Sequence, residues 1–178
     1  MKKILALVLT LALLLPCFAA LAEEDAFDMT ADQETVAELG IPTVSTVAAL
    51  KTEADALWTA KDYAGAATAY ATYAKQANWL ANLISAGLDP FYTASSSDRK
   101  GWSPSQLSWN DLTGPENSAN DYKSERNRAI LRQGLCYYNL GDYENALPLL
   151  LKALDLIELD QESYWKEAMA ALYAIIGY

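Results

Sequence analysis

The chain has 178 residues, with 23 acidic and 13 basic side chains and a formal charge of −10. Such acidity argues against non-specific binding to nucleic acid or anionic lipid. Its lack of histidine removes the commonest general base and metal ligand, and its two cysteines are too few for a thiolate cluster.

Residues 1–22 carry Lys2 and Lys3, an apolar run over 4–15, and Ala20-Leu21-Ala22 directly before Glu23. This order predicts a cleaved secretory signal and an exported chain; the run is too short to span a bilayer comfortably, so no integral span is expected after cleavage. The alternative is a bacterial lipid-attachment signal ending at Cys17, for which Pro16 is a poor fit. Cleavage at Ala22 leaves Cys136 as the one cysteine, which cannot form an internal disulfide and is expected to pack as a small hydrophobe.

Residues 23–45 form an acidic N-terminal segment. Between 23 and 38 it holds seven acids and no base. Its start is expected to be a disordered, solvated tail. Thr30 with Gln33 has capping-box spacing, so a short helix is expected before Gly40. No calcium-loop spacing is present.

Residues 46–178 are the expected folded domain. The stretch ADALWTAKDYAGAATAY places Ala54, Leu57, Asp62, Tyr63, Ala66 and Tyr70 at spacings that recur 80 residues later. Its second helix is expected to continue through NWLANLISAG to a cap at Gly87. After it, residues 88–115 are rich in Ser, Asp, Gly and Pro and are expected to be mainly loop. Ser103-Pro104 predicts a short helix over 104–109. Gly114-Pro115 reads as a breaker, with a new helix from Glu116. The two helices would each run about 24 residues, or about 36 Å, and form a protruding hairpin. Phe91, Tyr92, Trp102 and Trp109 lie at its tip. They either seal the end of the helix pair or offer an aromatic surface to a partner or glycan.

Residues 127–160 contain GLCYYNLGDYENALPLLLKALDL. Tyr137, Leu140, Leu147, Leu150 and Leu154 recur at helical spacing, Gly141 can end one helix, and Asp142 can cap the next. Gly134 and Ala146 are small where two antiparallel helices would meet. Pro148 sits awkwardly inside the second helix and removes a hydrogen bond. With Gly134, Tyr137, Gly141, Asp142, Tyr143, Ala146, Leu150 and Ala153 at offsets 8, 11, 15, 16, 17, 20, 24 and 27, this unit resembles a tetratricopeptide repeat. Residues 54–70 resemble a weaker copy, with Lys61 in place of the turn glycine and Tyr73 where alanine is usual. Gln161 begins a third fragment, with Tyr164 and Ala168 at offsets 4 and 8.

The resemblance implies an all-α, short helix–turn–helix solenoid with an extended hairpin, whose task is to hold a protein or peptide. It implies that first helices line a groove. In the first copy these positions are Lys51, Asp55, Trp58 and Thr59. In the second they are Arg128, Leu131, Leu135, Tyr138 and Asn139, with Arg132 close by. In the third they are Glu162, Trp165, Met169, Leu172 and Tyr173. The binding positions expected from this set are Lys51, Trp58, Arg128, Arg132, Tyr138, Asn139, Trp165 and Tyr173. The alternative for each aromatic is packing between helices. Arg128 and Arg132 resemble half of a carboxylate-gripping pattern, but Asp55 stands where asparagine would be expected.

No nucleophile elbow, phosphate loop or dinucleotide fingerprint occurs, and no cofactor is implied. Asp155 with Glu158 has the spacing of a solvated helical face. The expectation is therefore an exported, non-catalytic binding scaffold. The alternatives are a cell-surface ligand or glycan binder working through the hairpin tip, and a structural envelope subunit. Two and a half units are near the minimum for a stable stack, which makes self-association reasonable.

Overall fold

A computed structural model describes residues 36–95 and 109–178. The signal segment, the Thr30 capping box, most of the 104–109 helix and the side chains of Trp102 and Trp109 lie outside the described residues. A helical turn over 36–39 ends at Gly40, whose φ is 76° and whose N–H donates to the Val36 carbonyl at 2.9 Å. The rest of the short helix expected before Gly40 lies outside the described residues.

The unit Ile41–Tyr178 is all-α. It consists of α1 (Val44–Thr59), α2 (Tyr63–Thr93), α3 (Trp109–Asn139), α4 (Tyr143–Leu156) and α5 (Glu162–Ile176). Each helix packs on the next, and α3 also meets α5. Thr43 opens α1 with a reciprocal cap: its hydroxyl accepts from the Thr46 N–H at 3.1 Å, and the Thr46 hydroxyl accepts from the Thr43 N–H at 2.8 Å.

The turns α1–α2 and α3–α4 are built alike. Asp62 N–H donates to the Leu57 carbonyl and Asp142 N–H to the Tyr137 carbonyl, each at 3.0 Å. These are six-to-one bonds of a Schellman turn, which needs a left-handed residue just before the donor. Gly141 fills that place with φ 76°. In the first turn Lys61 fills it with φ 61°. Asp62 and Asp142 then accept from Gly65 N–H at 3.0 Å and Asn145 N–H at 3.3 Å, capping α2 and α4.

The core is rich in alanine. Ala54, Ala66, Ala77, Ala146, Ala153 and Ala168 are fully buried around Leu131 and Leu150. Small side chains let the helices approach closely. At Gly134 a Cβ would lie 3.1 Å from Leu150 Cδ2 and 3.2 Å from Leu149 Cβ. Pro148 is exposed within α4, so water can reach the turn that lacks its hydrogen bond.

The long hairpin differs from expectation. Both α2 and α3 run 31 residues, about 46 Å each, not about 24. Gly87 and Pro90 lie inside α2, and Gly114 and Pro115 inside α3. The loop expected over 88–115 is therefore helical over 88–93 and 109–115. Phe91 and Tyr92 belong to α2, the first half-buried and the second exposed. Local breaking tendencies lose here to packing: Leu88, Leu112 and Ala119 are buried at the far end of the helix pair. Gly87 and Gly114 cost conformational entropy without blocking the helix.

Candidate functional site

Lys51, Arg128 and Arg132 converge on one polar pocket of about 210 Å³. Helix α1 supplies Lys51 and Asp55 one turn apart. Helix α3 supplies Glu125, Arg128 and Arg132, spaced so that all share one face. Tyr70 and Tyr73 enter from α2, and Tyr164 from α5.

The polar groups are joined in pairs. Lys51 Nζ meets Asp55 Oδ2 at 2.7 Å, and Tyr70 Oη donates to Asp55 Oδ1 at 2.7 Å. Tyr73 Oη donates to Glu125 Oε2 at 3.1 Å, while Arg128 Nη1 holds Glu125 Oε1 at 2.7 Å. Arg128 Nε also donates to Gln161 Oε1 at 3.2 Å, and Gln161 Nε2 donates to Ser124 Oγ at 3.1 Å. Gln161 thereby ties the start of α5 to α3. Arg132 Nη1 pairs with Glu167 Oε1 at 3.0 Å.

Two guanidinium groups lie over rings. Arg132 sits 4.7 Å from the Trp58 ring centre and Arg128 5.1 Å from that of Tyr164. Trp58 is further held edge-on by Tyr63 at 5.5 Å and Tyr70 at 6.5 Å. Burial pushes the Tyr70 hydroxyl well above its ordinary value, helped by its bond to Asp55. Burial does the same to Tyr73, with the Glu125 charge adding. The hydrogen bond to Asp55 raises Lys51. These groups stay protonated at neutral pH, so they donate hydrogen bonds and do not act as bases.

The other expected positions lie outside this pocket. Tyr138 is half-buried with its ring 6.0 Å from Tyr143. Asn139 turns back on its own helix, donating to the Leu135 carbonyl at 2.7 Å. Trp165 packs half-buried against the core. Tyr173 is 41% exposed and stacks obliquely on Tyr178 at 5.1 Å.

Sequence reasoning left out Tyr70 and Tyr73 because they lie on a second helix, and Glu125 and Tyr164 because they fall off the groove offsets of their first helices. Tyr73 did leave a signal, since it stands where the repeat pattern has alanine. Among the described residues, no group of three or more Cys, Asp or Glu side chains could hold a metal ion. No described helix is long and apolar enough to cross a membrane. No family model, curated protein or solved structure matches this chain.

Proposed function

We propose that this chain is an exported, tetratricopeptide-like scaffold that binds a protein or peptide along the face shared by α1, α3 and α5. The observation that carries the reading is the shared pocket, whose donors and acceptors are set in place by four helices before any ligand arrives. Lys51, Arg128 and Arg132 already have carboxylate partners within the protein. They supply hydrogen bonds and orientation more than net charge, and the half-buried aromatics Trp58, Tyr138 and Trp165 supply the apolar anchors.

The test uses a partner captured by the full exported chain. Truncating buried aromatic anchors at interfaces costs about 2 kcal/mol or more. Tyr138→Ala and Trp165→Ala are expected to weaken binding at least ten-fold while the far-UV helix signal is retained. Trp102→Ala and Trp109→Ala are expected to change it little.

A second reading, a glycan or small-ligand binder at the far end of the hairpin, has one observation in its favour. A hollow of about 380 Å³ there exposes Tyr92 beside Asp89, Asn117 and Asn120. That is an aromatic face next to groups that accept and donate hydrogen bonds. Binding abolished by Tyr92→Ala and Asn120→Ala, but untouched by the groove variants, would decide for it.

A further inference from the structure

A second cavity, of about 440 Å³, opens between α2, α3 and α4, on a different face of α3 from the polar pocket. Its volume is in the range of small-molecule sites, about 300–1,000 Å³. Ala74, Ile130, Leu149 and Leu156 make its walls apolar.

Its charge is unusual for this chain. The cavity is lined by Lys75, Arg126 and Lys152 and by no acidic residue, although acids outnumber bases 23 to 13 in the sequence. Four ion pairs form among the described residues, and none involves these three cations. Three of the four serve Lys51, Arg128 and Arg132 in the polar pocket. Among the described residues, the cations of one pocket are thus ion-paired and those of the other are not.

Arg126 is the centre of the second site. It is half-buried, and burial lowers its affinity for a proton. Its partners are neutral amides: Nε donates to Asn127 Oδ1 at 3.0 Å, and Nη1 donates to Asn78 Oδ1 at 2.5 Å. Asn127 is itself anchored, donating from Nδ2 to the Leu156 carbonyl at 2.8 Å at the end of α4. The guanidinium is therefore held in place by groups that orient it without cancelling its charge. A partly desolvated guanidinium is the donor best suited to a planar anion.

We infer that this cavity binds a small amphipathic carboxylate, with its head on Arg126 and its apolar body against Ile130, Leu149 and Leu156. Lys75 and Lys152 are exposed at the margin and add a field that draws the anion in. The site is independent of the groove proposed above, since the two cavities share no lining residue.

Isothermal titration of the full chain with octanoate tests the inference, with acetate and octylamine as controls. Octanoate is expected to saturate at one site per chain. Acetate lacks the apolar body and octylamine has the wrong charge, so both are expected to bind at least ten-fold more weakly. Arg126→Leu is expected to cost octanoate at least ten-fold with the melting temperature retained. Lys152→Glu, at an exposed position, is expected to weaken it several-fold. Arg132→Leu in the other pocket is expected to leave it unchanged. Equal binding of octanoate and octylamine would show simple apolar adsorption and overturn the inference. So would unchanged binding in both Arg126→Leu and Lys152→Glu, or a failure to saturate.

Discussion

Lys61 is the described non-glycine residue with a positive φ, at a place where its counterpart 80 residues on is Gly141. A left-handed conformation costs a side-chain-bearing residue about 1–2 kcal/mol, and glycine's extra freedom when unfolded returns part of that. Lys61→Gly is therefore expected to stabilise the fold by about 0.5–1 kcal/mol, seen as a higher urea midpoint at constant slope. Gly141→Lys is expected to move the midpoint the other way. An unchanged midpoint for Lys61→Gly would mean that the turn relaxes at no cost. The same residue shows what a sequence can reveal, because the missing glycine was visible and the turn formed regardless. Tyr73 teaches a similar lesson. It departs from the small residue usual at its position, and its hydroxyl reaches Glu125 in the pocket. Lys51, Arg128 and Arg132 were named through the repeat resemblance, and they line one pocket. Glu125 and Tyr164 were not, because their part depends on which helix faces which.

At the scale of elements, turns were legible and helix ends were not. Asp142 announces its cap through local chemistry and acts where expected, and Asp62, its counterpart 80 residues earlier, caps α2 in the same way. Gly87, Pro90, Gly114 and Pro115 announce breaks that do not occur: buried packing continues past Gly87 to Leu88 and past Gly114 and Pro115 to Leu112, and α2 runs on through Pro90 to Thr93. A proline inside a helix costs about 3 kcal/mol relative to alanine. Pro115 lies near the start of α3, where part of that cost can be escaped by fraying. Pro115→Ala is expected to stabilise the protein by about 1–2 kcal/mol and to slow amide exchange across the first turns of α3. No change in either measurement would show that the helix does not hold together on the near side of Pro115. Leu131 on α3 and Leu150 on α4 are fully buried in the main core.

At the scale of the molecule, three buried acids resist losing their protons. Burial raises the Cys136 thiol to about 11, with Arg132 pulling slightly the other way. Tyr70 and Tyr73 are raised above their ordinary value of 10.0, mainly by burial. In each case the folded state keeps a proton that the unfolded state releases, so stability falls as pH rises. The loss begins near pH 9 with Cys136 and steepens above pH 10 with the tyrosines. Urea midpoints are expected to be level from pH 6 to 8 and to fall between pH 9 and 11. Tyr73→Phe is expected to flatten the upper part of that fall. A midpoint that rises with pH over this range would contradict the buried positions of these groups. The same burial predicts that an aromatic disulfide reagent at pH 8 labels Cys136 only after unfolding.

The unequal pairing of cations on the two faces has a consequence for ionic strength. In the polar pocket Lys51, Arg128 and Arg132 are matched by Asp55, Glu125 and Glu167, so an incoming anion must exchange with a carboxylate already in place. Salt screens the old and new contacts alike, and affinity there should hardly change with added sodium chloride. On the other face an anion meets Lys75, Arg126 and Lys152 without displacing a carboxylate, and screening removes attraction that nothing replaces. A salt titration of any newly found anionic ligand therefore reports which face it occupies before a single residue is changed.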